Sequence, residues 1–141
     1  MDVIEAGLYR FLSDPRNKLA VLGSIASDGS GAPQAALVGV AASPGLELIF
    51  DTVRSSRKYR NLLADPRCSF VIGLGGDVTV QFEGIAREVE DAESKAIYFS
   101  AFPDGPSRAS WPGIVYFAVK PTWIRYSDYG ETPPVIEEFR F

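Results

Sequence analysis

Asp51–Arg67 reads DTVRSSRKYRNLLADPR, and five of the chain's fourteen Lys and Arg residues fall within it. The stretch predicts a strand ending at Thr52, a hydroxyl cap at Ser55 or Ser56, and a short helix over Arg57–Ala64. Tyr59, Leu62 and Leu63 are expected to form the apolar stripe of that helix, with Arg57, Arg60 and Asn61 elsewhere around it. Asp65-Pro66 ends it, because a residue before proline avoids helical backbone angles. Arg57 and Lys58 then sit at the positive end of the helix dipole, where Asp or Glu is the usual choice. Two readings account for them. They can be a solvated basic face reaching Asp51, Asp65 or water. Alternatively, the unpaired first-turn N–H groups, a serine hydroxyl and both cations can converge on a phosphate.

The rest of the chain limits what such a phosphate could belong to. A net charge of −4 and a pI near 4.8 give no general attraction to nucleic acid or anionic lipid, so a basic site must be local. The 141 residues suit one domain, residues 1–141, without repeats or a dividing linker. There is no histidine, which removes Ser-His-Asp and Cys-His catalysis and imidazole-ligated zinc or haem. No carboxylate cage for a metal is recognisable, and no carboxylate pair has glycosidase-type spacing. Cys68 is alone, so no internal disulfide forms; within CSFVIGL it reads as a buried small hydrophobe. No secretory leader opens the sequence and no apolar run approaches ~20 residues, so a soluble, cytoplasmic protein is expected.

Outward from the opening stretch, strands are predicted over Leu19–Ala26, Gln34–Ala41, Leu46–Thr52, Cys68–Leu74, Val78–Val89, Ile114–Val119 and Thr122–Tyr126. Asp28–Gly31 and Ser43–Gly45 are turns. In Val78–Val89 the inward set reads Val78, Val80, Phe82, then Ile85 and Val89, a phase slip that suggests a bulge at Gly84. Gln81 and Glu83 lie on the opposite face. Gly73–Asp77 is a hairpin turn: no helix follows, so a nucleotide-binding glycine loop fails on context. Helices are expected at Val3–Leu12 and at Ala92–Ala101, the second capped by Asp91 with Ala92, Ala96 and Phe99 facing one way. Phe102–Gly113 reads as a loop, and Pro121 as a bend between the last two strands. Short antiparallel strands with a few helices point to a small β-barrel.

The order LAVLGSIASDGSGAPQAALVGV, LELIFDTVRSSRKYRNLLADPRCSFVIG and VTVQFEGIAREVE resembles the FMN-binding split barrel of the pyridoxamine 5′-phosphate oxidase family, over Leu19–Val89. KPTWIRYSD fits the family's end more loosely. The resemblance implies a mainly β fold with helices, a six-stranded antiparallel Greek-key barrel. It implies a homodimer with two FMN sites across the interface and a small-molecule substrate, with no nucleic-acid or membrane partner. Carried over, Ser56, Arg57 and Lys58 would hold the FMN phosphate and Thr52 would lie near the ribityl chain or ring. Backbone at Leu37 and Val38 would flank the isoalloxazine, Gln81 would reach the flavin of the partner chain, and Trp123 would add to the pocket wall. Two departures stand out. Register from Gly31 and Pro33 puts Ala36 where the oxidases carry a flavin-binding arginine. The tail PPVIEEFRF lacks the Arg–His substrate signature. A related flavoprotein is therefore expected rather than the true oxidase, with no catalytic side chain identifiable. A flavin-binding protein without turnover, or a user of the deazaflavin F420, remains the alternative.

Overall fold

A computed structural model of the chain describes residues 3–141. Its strands are β1 (Leu19–Ile25), β2 (Pro33–Gly39), β3 (Ala41–Ala42), β4 (Leu48–Val53), β5 (Arg67–Ile72), β6 (Val78–Val89), β7 (Ile114–Asp128) and β8 (Val135–Arg140). The helices are α1 (Val3–Ser13), α2 (Arg57–Ala64), α3 (Ala92–Ala101) and α4 (Gly105–Arg108), with a 3₁₀ turn at Pro15–Asn17. Every strand pair is antiparallel, and the order across the sheet is β2-β1-β5-β6-β7-β4-β3, with β8 added on β7.

The two ends of that order, β2 and β3, are separated in the chain by Val40 alone. One segment thus leaves one edge of the sheet and joins the other, and this curls the sheet into a barrel. The Val40 N–H, turned out of β2, donates to the Lys18 carbonyl at 2.7 Å. The continuous strand expected over Gln34–Ala41 is broken there for this reason.

The barrel interior is apolar. Phe50 stacks on Phe117 at 5.5 Å between centroids, and Phe70 meets both Phe50 and Phe82 edge-on. A second cluster lies on the outside of β3, β4 and β7, where Ala41, Ile49, Tyr116 and Ala118 pack under Tyr98 and Phe102. The side-chain period of two lets one strand serve both clusters, as Phe50 points in and Ile49 out.

The sheet has eight strands rather than the six expected. Part of the excess lies in the tail, where PPVIEEFRF supplies β8; its side chains are almost all exposed, so no buried alternation marked it. The two last expected strands are one, β7, because Pro121 sits at a bulge and not at a chain reversal. Glu83 pairs with Trp123 but Gly84 pairs with Pro121, so the extra residue, Thr122, belongs to β7. The register shifts between Glu83 and Gly84, but the bulged strand is β7 and the phase slip expected in β6 does not occur: Val80, Phe82, Gly84 and Ala86 point inward and Ile85 is 42% exposed. Val89 is buried against the outer cluster instead. A Cβ on Gly84 would strike the Lys120 carbonyl oxygen and come within 2.8 Å of Val119 Cγ1.

The Asp91 cap of α3 holds, with Oδ2 accepting from the Ser94 N–H at 2.8 Å. The buried face of α3 is Ser94 and Tyr98, whereas Ala92 and Ala96 are exposed. On α2, Leu62 is buried and Tyr59 meets Phe117 edge-on at 6.0 Å, but Leu63 is exposed and Asn61 takes its place inside. The predicted loop Phe102–Gly113 contains α4, whose Arg108 bonds Asp51 on β4 at 3.0 Å and the Tyr98 hydroxyl at 3.1 Å.

Candidate functional site

The turn from β4 into α2 is built as its sequence predicts. Ser56 is the N-cap, with extended backbone, and its Oγ accepts from the Tyr59 N–H at 3.3 Å. The same oxygen lies 2.9 Å from Thr52 Oγ1 at the end of β4; either hydroxyl can donate. Strand and helix are therefore tied by two adjacent hydroxyls, and the Tyr59 N–H of the first turn of α2 is satisfied at that joint.

The five cations of the opening stretch divide into two groups. Arg54 pairs with Glu88 at 3.8 Å, Arg60 donates to the Ser55 carbonyl at 3.1 Å, and Arg67 pairs with Asp65 at 2.6 Å. Arg57 and Lys58 make no hydrogen bond or ion pair among the described residues. The acceptors that a purely solvated basic face would use are taken: Asp65 by Arg67, which holds its carboxyl at about 2, and Asp51 by Arg108. Asp28, in the β1–β2 turn, feels Arg57 only as a minor influence; its carboxyl is lowered chiefly by hydrogen bonds from Ser30.

The two free cations line one cavity of about 120 Å³ together with Leu22, Ser24, Gln34, Ala35, Ala36 and Asn61. Leu22 pairs with Ala36 and Ser24 with Gln34, so the β1–β2 hairpin forms one wall and α2 the other. At ~30 Å³ per water, the space holds a tetrahedral anion and one or two waters. Asn61, 2% exposed, joins the walls: its Nδ2 donates to Gln34 Oε1 at 2.8 Å and to Ser24 Oγ at 3.1 Å. Cationic and amide donors surround the space and no carboxylate enters it, so the site suits a phosphate.

Of the residues singled out in the sequence, Arg57 and Lys58 line this cavity, and Thr52 and Ser56 form the joint beside it. Leu37, Gln81 and Trp123 do not enter it. Cross-strand pairing places Leu37, Val21, Val71, Gln81 and Arg125 in one outward row across β2-β1-β5-β6-β7, with Trp123 in the next row beside Glu83. Leu37 is 61% exposed there, while Val38 points into the core. Ser24, Gln34 and Asn61 were missed. Asn61 lies one helical turn from Arg57, and Gln34 shares the strand face of Ala36, so the two periodicities contained the signal. Cys68 is buried as expected, and burial pushes its thiol up to about 12.

A curled antiparallel barrel with a phosphate-sized cationic pocket between a hairpin and a helix start defines a class of small split-barrel proteins. The pyridoxamine 5′-phosphate oxidase family profile matches residues 10–128, and the chain belongs to that family. Among solved structures, a haem-binding protein from Mycobacterium smegmatis is similar with a TM-score of 0.77 and 18% identity, over 99% of this chain and 59% of that one. General Stress Protein 26 from Bacillus anthracis str. Sterne gives 0.73 at 19% identity, over 98% of both chains. A pyridoxamine 5′-phosphate oxidase-related, FMN-binding protein from Nostoc punctiforme PCC 73102 gives 0.70 at 11% identity, over 100% and 97%. At these identities the likeness is one of fold. No curated protein matches the sequence.

Proposed function

We propose that the protein binds FMN by its phosphate in the Arg57–Lys58 pocket and works as a flavoprotein oxidoreductase on a small molecule. The observation that carries this reading is that these two cations, alone among the five of their stretch, lack a partner and border a donor-lined cavity. The likeness in fold to one FMN-binding relative supports it. A dianion there would turn an unfavourable placement at a helix start into a favourable one. Bound FMN would supply hydride transfer at its N5.

The chain's own groups bind and orient. Arg57 and Lys58, with Ser56 beside the cavity, would hold the phosphate, and Thr52 would lie near the ribityl chain or ring. The cavity has room for the phosphate end only, so the ring would lie along β2, which pairs with β1 alone and offers unpaired backbone groups near Leu37 and Val38. Gln81 and Trp123 would act from a second copy of the chain, across the outward row that carries Leu37 and Val71. A homodimer is thus part of the proposal.

No carboxylate, tyrosine or cysteine lines the phosphate pocket, so proton transfer, where a reaction needs it, would fall to groups beside the ring. Flavin binding without turnover is the second reading. Haem, which two structural relatives bind or store, finds no imidazole in this sequence.

Titration of the purified protein with FMN and with riboflavin, followed by flavin fluorescence, tests the proposal. FMN should bind the more tightly. Replacing Arg57 and Lys58 together by Ala should cost at least ~2–3 kcal/mol in FMN affinity, about 30- to 150-fold, and leave riboflavin unchanged. Equal losses for both ligands would overturn the phosphate assignment.

A further inference from the structure

The polarity of the pocket is fixed by one buried amide. The Ser27 backbone N–H donates to Asn61 Oδ1 at 3.0 Å, so that atom must be the oxygen and the other must be Nδ2. Nδ2 can only donate, and it does so to Gln34 Oε1 and Ser24 Oγ. Gln34 Oε1 thereby faces Asn61 and its amide nitrogen is turned the other way. Its Nε2, with two N–H donors, makes no hydrogen bond among the described residues and belongs to a side chain that lines the cavity. Ser24, 7% exposed, likewise accepts from Asn61 and keeps its own proton unused.

We propose that Gln34 is a direct phosphate ligand of this site and that Asn61 is the positioning residue that turns the Gln34 amide, and the Ser24 hydroxyl with it, into donors. The inference rests on the flavin-phosphate reading above and deepens it. Gln34 and Ala36 share one face of β2, and Ala36 also lines the cavity. The Ala36 side chain is a methyl group and offers no donor. The neutral Gln34 amide, two residues earlier, supplies the donor that the side chain at 36 does not. Beside the Ser56 cap, the pocket lining then offers four side-chain donors, Arg57, Lys58, Gln34 and Ser24, and no anionic group. This favours a fully ionised phosphate monoester, which only accepts, over a neutral hydroxyl.

Four variants of the full chain, titrated with FMN and riboflavin, test the inference. Gln34→Ala should weaken FMN about tenfold and leave riboflavin within twofold. Gln34→Glu keeps the bond from Asn61 Nδ2 but turns a carboxylate oxygen toward the phosphate, and should weaken FMN by ~100-fold or more, again sparing riboflavin. Ala36→Arg added to Gln34→Ala should restore FMN affinity. Asn61→Ala should lower the preference for FMN over riboflavin even at temperatures where circular dichroism shows it folded. If the wild type shows no preference for FMN, the flavin-phosphate reading fails and takes this inference with it. If the wild type prefers FMN, the Arg57/Lys58 double variant abolishes that preference and Gln34→Glu retains it, the assignment of Gln34 alone is overturned.

Discussion

Thr52 Oγ1 and Ser56 Oγ lie 2.9 Å apart, hydroxyl to hydroxyl, across the turn that joins β4 to α2. The contact makes the helix cap part of the barrel rather than a feature of the helix alone. Ser56→Ala removes the acceptor for the Tyr59 N–H and strands the Thr52 hydroxyl, which is 9% exposed. A cost of about 1–2 kcal/mol is expected, measured as a fall in the urea midpoint at unchanged m. Ser55→Ala, one residue earlier, should be nearly silent; equal effects at both positions would assign the cap wrongly.

How far the sequence carried this site depends on which periodicity each residue obeyed. The span of α2 and the cationic cluster are local and legible in DTVRSSRKYRNLLADPR, and the cap is narrowed there to Ser55 or Ser56, of which the structure uses Ser56. Asn61 reads only as a residue off the apolar stripe of α2; its burial depends on Ser24, Ser27 and Gln34, 27 to 37 residues away. The same limit explains Ile85. In a strand whose inward positions include Gly84 and Ala86, the larger Ile85 drew the reading to the wrong face. The helix face of Tyr98 and Ser94 was hidden because α3 lies on an outer sheet surface with Ile97, Phe99 and Ala101 packed around Tyr98, so its contacts spread beyond one regular apolar stripe. Barrel closure through Val40 was illegible, since it is the joining of two sheet edges that are distant in every pairwise pattern.

Arg108 reaches from α4 to Asp51 on β4, to Asp104 at 2.6 Å and to the Tyr98 hydroxyl on α3, so one guanidinium ties three elements over the outer cluster. Both Arg108 and Asp51 are largely buried. Arg108→Met leaves the Asp51 carboxylate without its ion-pair partner and should cost about 2–3 kcal/mol, read by denaturant unfolding. FMN affinity should be unchanged, because none of these groups lines the phosphate pocket. A parallel loss of FMN affinity would show that the outer cluster shapes the site.

Cys68 predicts a pH effect with a definite sign. Burial raises its thiol from an ordinary value of 9.0 to about 12. Above pH 9 the unfolded chain gives up this proton while the folded chain keeps it, so unfolding becomes more favourable as pH rises from 9 toward 12. Below pH 9 both states hold the proton and the effect vanishes. Cys68→Ala should flatten the alkaline limb of a stability–pH profile relative to the wild type. In the native protein at pH 8 the thiol should resist Ellman's reagent, and it should react at once in 6 M guanidinium.

The outward row Leu37–Val21–Val71–Gln81–Arg125 bears on the proposed homodimer. On the far side of the barrel α3 covers the outer sheet face, but here Leu37 is 61%, Val71 43% and, nearby, Ile85 42% exposed. Apolar strand positions that alternate inward with a full core and outward with nothing are the pattern a second copy would cover. Val71→Asp places a charge in the middle of that row without touching the interior, so the barrel should fold with its normal circular dichroism. Light scattering should give a dimer for the wild type and a monomer for Val71→Asp. Because Gln81 and Trp123 would come from the partner, the monomer should lose affinity for FMN and riboflavin alike, while the ratio between the two ligands, set by Arg57 and Lys58 within one chain, persists. A monomeric wild type would remove the partner from the proposal, and a ratio that collapsed with the dimer would move the phosphate contacts to the interface.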